Sequence, residues 1–456
     1  MENKTTGRNE ELLANGPILK TMLTLGIPVF IAQFINILYN VVDRMYIGHI
    51  PETGAMALTG VGVCFPILTL IMAFSSLIGA GGAPLAGIAF GKGNKDKAEK
   101  ILGNSATALF ALSIVLTLFF QIIKKPFLFM FGASQETYRY AGEYLTIYLC
   151  GTVFVMLALG LNAYITVQGE AKISMVTVLI GAVLNLILDP IFIFVFNMGV
   201  KGAAIATVIS QAVSAAWVVK FLSSRKAVLR IRRKNLKLSG DIIKEIMALG
   251  VSPFVMSATE SLIVVIFNRG ALVYGNDLYV GSMTILQSAL QIIFVPLNGF
   301  TQGVSPIISY SYGAGNFERV KKVCYTLIAI AGSSCFILSG LFILFPGRVA
   351  ACFTTDADLI AICIKMLPIF ICGMLIFGLQ SGCQTCFMAL GKAKQAFFFA
   401  VLRKVILLSP LALILPAVTH NILGLYIAEP ISDSLSAITC FIVFLITLRR
   451  EEKKEP

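Results

Sequence analysis

"FGKGNKDKAEK" at residues 90–100 returns as "YGAGNFERVKK" at residues 312–322, and "GEAK" from Gly169 returns as "GKAK" from Gly391, both 222 residues on. At the same offset "GAAIATVISQAVSA" from Gly202 matches "GLYIAEPISDSLSA" from Gly424. Pro28 pairs with Pro253, and Asp43-Arg44 with Asn268-Arg269, at a spacing of 225. A period close to half of a 456-residue chain marks a duplicated unit.

Between these motifs the chain runs apolar, with 57% hydrophobic and only 13% charged residues. A helix needs about 20 apolar residues, at roughly 1.5 Å rise each, to cross the hydrocarbon core of a bilayer. Twelve runs meet that length, at residues 18–42, 55–81, 101–123, 141–165, 173–197, 200–222, 245–273, 279–310, 323–345, 360–388, 396–418 and 422–447. The sequence therefore predicts an all-α polytopic membrane protein. Each repeat carries six spans, an even number, so both enter the membrane in the same sense. Two six-helix lobes then relate by a pseudo-two-fold axis along the membrane normal, with a cavity at their interface. The expected divisions are an N-terminal lobe over 1–222, a basic linker over 223–244, a C-terminal lobe over 245–448 and a tail over 449–456.

Most of the 36 Lys and Arg fall on the side that holds both termini, which the positive-inside rule places in the cytoplasm. The net charge of +13 thus reports topology and contact with anionic lipid, and nucleic acid is not an expected partner. The densest basic stretch, "SSRKAVLRIRRKNLKLSG" at 223–240, reads as a loop along the lipid headgroups. The polar opening "MENKTTGRNEELLANG" and the long apolar run after it do not form a cleavable signal peptide, so the first helix is expected to stay in the membrane.

Enzyme chemistry finds little to work with. Most of the ten cysteines lie in apolar runs as small hydrophobes. Cys383 and Cys386 form a single "CQTC" with no second pair or nearby histidine, and no metal site is expected. The two histidines, His49 and His420, fall in outer loops, and no "GxxxxGK[ST]" loop occurs. Neither an intramembrane enzyme nor an ATP-driven pump is expected, and no cofactor.

What the spans do hold is acid. Residues 173–197 contain one charge, Asp189, within "NLILDPIFIF" at 185–194. A carboxylate at that depth costs from about 2.5 to more than 10 kcal/mol, and such residues usually face a wet cavity, a partner or an ion path. Helix counting puts Asp189 about 24 Å from the start of its span, level with Asp43 and Thr207, and Asn185 lies one turn before it on the same face. Two carboxylates, an amide and a hydroxyl at one depth fit a site for a proton or for Na⁺. The bland alternative is that Asp43 caps a helix end beside Arg44 while Asp189 serves backbone groups freed by Pro190. The repeat makes the acid asymmetric, because Asp43 corresponds to Asn268 and Asp189 to Leu411. Of the remaining acids in the spans, Glu260 sits ten residues into a membrane segment. Glu429 and Asp433, one turn apart, line a second polar patch or pair across helices. Pro28 removes a backbone hydrogen bond inside the first span and supplies a hinge.

Pro28, "YNVVDRMYIG" at 39–48, "NLILDPIFIF" and "GVKGAAIAT" ending at Thr207 together resemble the multidrug and toxic compound extrusion (MATE) transporters over nearly the whole chain. In the bacterial and archaeal drug-efflux branch the positions of Asp43, Asn185, Asp189 and Thr207 correspond to an N-lobe cation site, and Pro28 to a proline associated with bending of the first helix. Glu260 resembles the seventh-helix acid of another branch, in which a tenth-helix acid accompanies it. Here Gln380 and Gln384 occupy that region. The resemblance implies a secondary antiporter of the bacterial plasma membrane, monomeric in the bilayer, that exchanges H⁺ or Na⁺ for amphipathic, cationic compounds. A lipid or lipid-linked oligosaccharide flippase of the same architecture is the alternative, and it would need basic residues in the cavity to hold phosphate.

Overall fold

The motif that recurs at 222 residues is a turn with a cap. The computed structural model describes residues 10–354 and 356–453. In it Gly93 and Gly315 take φ of 74° and 75°, a left-handed conformation that favours glycine. The next residue in each case is an N-cap: the side chain of Asn94 accepts from the N–H of Lys97 and that of Asn316 from the N–H of Arg319, at 2.9 and 3.0 Å. The same local chemistry therefore turns the chain at the same place in each half.

The helices of the N-terminal half are α1 (Ile18–Gly48), α2 (Gly54–Gly91), α3 (Lys95–Met130), α4 (Gln135–Cys150), α5 (Thr152–Val167), α6 (Ala171–Pro190) and α7 (Val200–Ser223). Those of the C-terminal half are α8 (Gly240–Tyr274), α9 (Asp277–Gly313), α10 (Phe317–Leu344), the short α11 (Pro346–Ala351), α12 (Ala357–Ile371), α13 (Met374–Ala389), α14 (Ala393–Val401), α15 (Ser409–Thr419) and α16 (Leu423–Glu452). Among the described residues ten helices are long and apolar enough to span a membrane, and two bent pairs bring the count to twelve. The protein is a multi-pass membrane protein of two pseudo-symmetric lobes.

Two spans expected to be single are bent: α4 meets α5 at 57° and α12 meets α13 at 43°. The breaks fall at Gly151 and at Gly373, again 222 residues apart, and each glycine lies against the last span of its lobe. A Cβ on Gly151 would stand 2.5 Å from Val208, and one on Gly373 2.5 Å from the Cα of Pro430. Close approach of backbone at the break, which the apolar run does not reveal, permits the bend. The fifth span of each lobe carries a π segment, Ile191–Val195 after Pro190 and Leu402–Leu408 before Pro410. Wider turns of this kind loosen the hydrogen-bond ladder and are frequent at functional sites.

The basic segment expected to lie along headgroups is folded onto the N-terminal lobe. Ala227 and Leu229 are fully buried, and the N–H of Leu229 donates to Gln168 Oε1 at 2.9 Å. Arg232 pairs with the buried Glu99 at 2.6 Å, and Asn104 accepts from the N–H of Ser239 at 2.6 Å. Its apolar residues, Ala227, Val228, Leu229 and Ile231, supply the face that packs on the lobe, which charge density alone did not reveal. The link between lobes narrows to the start of α8 at Gly240.

The lobes meet on the side that carries the termini: α1 and α2 pack against α8 and α9 through residues 16–33 and 74–91 on one side and 246–254 and 299–313 on the other. Phe74 lies 4.8 Å from Phe254, Phe90 5.2 Å from Tyr310 and Phe30 6.3 Å from Phe300, ring centre to centre. Backbones touch where glycine allows it. A Cβ on Gly303 would lie 2.6 Å from the Cα of Gly26, and one on Gly81 2.8 Å from the Cα of Gly250. Polar ties cross the same seam. Arg319 donates to the carbonyls of Gly16 and Leu12 at 2.7 and 3.3 Å, and Lys97 reaches Glu245 at 3.4 Å.

Candidate functional site

A spacing of four residues, about one helical turn, sets the geometry of α6. Asn185 and Asp189 share one face, and both are buried, at 2% and 1% exposure. The Asn185 amide donates to Asp189 Oδ1 at 3.1 Å and to Thr207 Oγ1 of α7 at 3.3 Å. Thr207 in turn donates to the carbonyl of Ala203 at 3.0 Å. The amide thus ties the acid of one helix to the hydroxyl of the next.

Asp43, near the far end of α1, brings its carboxyl within hydrogen-bonding reach of Asp189. Asp43 Oδ1 and Asp189 Oδ2 are buried without a donor, and among the described residues neither carboxyl forms an ion pair. Tyr39 and Tyr144 stand within electrostatic reach of Asp43, and Tyr148 lies beside them. Two ionised carboxylates this close in a low-dielectric setting repel by several kcal/mol. A proton shared between them, or a cation seated on them, removes that cost. The bland reading of Asp43 as a helix cap leaves its orphaned oxygen unexplained. The bland reading of Asp189 fails similarly, because Oδ1 is taken by Asn185 and Oδ2 faces no backbone donor.

A family model described as MatE matches residues 28–191 and again residues 254–414, one match per lobe. The chain belongs to the MatE family. Among curated relatives, the multidrug export protein MepA of Staphylococcus haemolyticus is 26% identical over 442 residues, covering 95% of this chain and 94% of its own. Its counterpart in Staphylococcus aureus is 24% identical over 428 residues, covering 94% and 93%. A crystal structure of MATE in the straight conformation superposes with a TM-score of 0.90 at 22% identity, covering 98% of this chain and 99% of that one. A crystal structure of MATE in the bent conformation gives the same TM-score and identity, with 98% of each chain covered.

In the C-terminal lobe of this MatE protein the acids are held by partners that the sequence reading passed over. Arg403 donates through Nε to Asp433 Oδ1 at 2.7 Å and through Nη2 to Glu429 Oε1 at 3.3 Å. Its guanidinium lies 4.1 Å from the ring centre of Phe377. Lys404 donates to Glu260 Oε2 at 2.9 Å. Both cations sit on the π segment, whose freed carbonyls are satisfied by hydroxyls: Ser432 donates to the Arg403 carbonyl at 2.7 Å and Ser409 to that of Lys404 at 2.8 Å. Glu429 and Asp433 therefore pair across helices. The signal was available, since Arg403 and Lys404 lie well inside the apolar run at 396–418, where a charge is as costly as it is at Asp189.

Of the two glutamines expected at a C-lobe polar site, Gln384 is engaged away from this cluster. Gln384 donates to Ser252 Oγ and to the Ala396 carbonyl, both at 2.7 Å, and so binds α13 to α8 and α14. Ser252 is two turns of α8 before Glu260, about 12 Å along the axis. Gln380 is buried on α13 with its Oε1 free of a donor. Pro28 is buried in an otherwise continuous α1, half a turn from Gly26, where a Cβ would lie 2.9 Å from Phe300 of the other lobe. A hinge there bears directly on the interlobe seam.

Proposed function

We propose that this protein is a secondary antiporter that exports amphipathic, cationic compounds across the bacterial plasma membrane in exchange for H⁺ or Na⁺, with both termini in the cytoplasm. The observation that carries the reading is the Asp43–Asp189 pair, two carboxyls within hydrogen-bonding reach of one another with no ion pair to either among the described residues. Names of curated relatives as multidrug export proteins support the cargo class. The Asn185 amide turns its N–H groups toward Asp189 and Thr207, which suits a proton, while Na⁺ would take the amide turned over so that its oxygen joins the ligands. The flippase alternative loses its support. Arg403 and Lys404, the basic residues deep in the spans, are committed to Glu429, Asp433 and Glu260 and are not free to hold phosphate.

The test is export of a fluorescent organic cation from reconstituted vesicles under an imposed proton or Na⁺ gradient. Export that follows one gradient and collapses with it is the expected result. Transport indifferent to both gradients removes the antiport reading.

Pro28 lacks an N–H and leaves the Thr24 carbonyl without its helical partner, so α1 bends there more cheaply than elsewhere. Pro28→Ala is expected to insert normally and to slow turnover by about tenfold, the effect of roughly 1.4 kcal/mol on the barrier to rearrangement. Wild-type export rates at equal expression would remove Pro28 from the mechanism.

A further inference from the structure

Each lobe contains a buried cluster of acid, but among the described residues only the C-terminal one holds buried cations of its own. In the C-terminal lobe the side chains of Arg403, Lys404, Glu429 and Asp433 are 3%, 6%, 6% and 0% exposed, two cations against two anions. The fifth member, Glu260, has a side chain 54% exposed at the protein surface and is paired with Lys404. The N-terminal lobe brings two carboxyls together and supplies no buried cation among the described residues, since Arg44 beside Asp43 is exposed.

The repeat relates the two clusters at one shared position, while Asp433 falls on Gln211 and the N-lobe acids on Asn268 and Leu411. Counting back 222 residues, Glu429 falls on Thr207 of the N-lobe site, Arg403 on Gly181 and Lys404 on Ala182. Both clusters use the π-bearing fifth span and the sixth span of their lobe. Where the N-terminal lobe has glycine and alanine, the C-terminal lobe has two long cationic side chains that reach the acids of the neighbouring helices.

We propose that Arg403 and Lys404 are tethered counter-cations that fill, in the C-terminal lobe, the cation site which the N-terminal lobe leaves to an exchangeable ion. This rests on the reading of Asp43–Asp189 as the exchanging pair. Exchange is thereby confined to one lobe, and removal of the guanidinium uncovers a second, latent site for a monovalent cation or a proton at Asp433 and Glu429. Desolvation supplies the force: an uncompensated carboxylate in this interior is costly, and whatever cation reaches it is bound. The groups that face Asp433 are Arg403 and Glu429, with Cys335 of α10 and Cys372 at the α12–α13 break, and Lys404 and Glu260 stand one step further out.

The experiment uses Arg403→Gln placed in an Asp43→Asn/Asp189→Asn background, which silences the N-lobe pair. Purified protein is melted with Na⁺ or with choline at equal ionic strength, and at mildly acid and mildly alkaline pH. The background is expected to melt at one temperature throughout. Arg403→Gln is expected to melt lower in alkaline choline and to recover by about 2–4 °C or more with Na⁺, or with acid if only a proton fits. Adding Asp433→Asn should restore folding and abolish the ion response. A merely structural arginine would lower stability without making it depend on the ion. An Arg403→Gln protein indifferent to Na⁺ and acid, or one that never folds while Arg403→Gln/Asp433→Asn does, overturns the proposal. An ion response in the otherwise wild-type chain reports on the N-lobe reading separately, so either can fail alone.

Discussion

Asp189→Asn is expected to lower gradient-driven export by about 100-fold or more while leaving equilibrium drug binding within a few fold. The substitution keeps shape and removes charge. Asn185 still has an oxygen to donate to, so the α6–α7 contact through Thr207 survives. Under the proposed exchange, what disappears is the repulsion by which the site would take up a cation in one arrangement of the lobes and release it in the other. A ligand shifts an equilibrium between states only by its differential affinity for them, and one that no longer distinguishes them shifts nothing however tightly it binds. The amide fixes the site in its neutral condition. Asp43→Asn should act in the same direction, since either carboxyl alone is free of its repulsive partner. The measurement sets export from vesicles under imposed gradients beside equilibrium binding of the same drug. Undiminished export by Asp189→Asn would remove its carboxylate from the coupling of cation to cargo.

Much of this architecture is legible in the sequence because it is written locally. The Gly-Asn turn and cap repeat at a fixed offset, and the apolar runs measure the bilayer. A spacing of four residues is by itself enough to put Asn185 and Asp189 on one helix face. Charge also signals itself by depth, which singled out Asp189 and, applied evenly, would have singled out Arg403 and Lys404. What the sequence withholds is tertiary. Gly151 and Gly373 bend their spans only because the last span of each lobe lies against them. The basic segment folds onto the N-terminal lobe because Gln168, Glu99 and Asn104, each from 60 to 140 residues away, receive it. The partners of Glu429 and Asp433 come from another helix at a register set by a π segment, whose extra width no hydrophobic pattern announces.

The seam between lobes gives the other large effect. Gly250→Val is expected to abolish export at normal expression and insertion by keeping the lobes apart on the side that carries the termini. A Cβ at this position would overlap the carbonyl of Leu77 across the seam, and the obstacle is backbone, which cannot rotate out of the way. Gly81 stands opposite under the same restriction, so neither helix can yield by a rotamer change. Overpacking of this kind costs typically about 1–3 kcal/mol, and more where no side chain can move. The strain exists only while the lobes are closed, because separation of α2 from α8 frees the added methyl groups. The mutation therefore biases the conformational equilibrium more than the stability of either lobe. A penalty of about 3 kcal/mol depopulates the closed state by roughly 150-fold. Spin labels at Lys95 and Lys322, exposed and on different lobes, read the change directly in a background whose exposed cysteines are replaced. The interlabel distance should lengthen in Gly250→Val and stay long when a cation gradient is imposed, whereas Gly250→Ala should fall between it and the wild type. A wild-type distance distribution in Gly250→Val would show that the seam absorbs the side chain and that closure does not depend on glycine there.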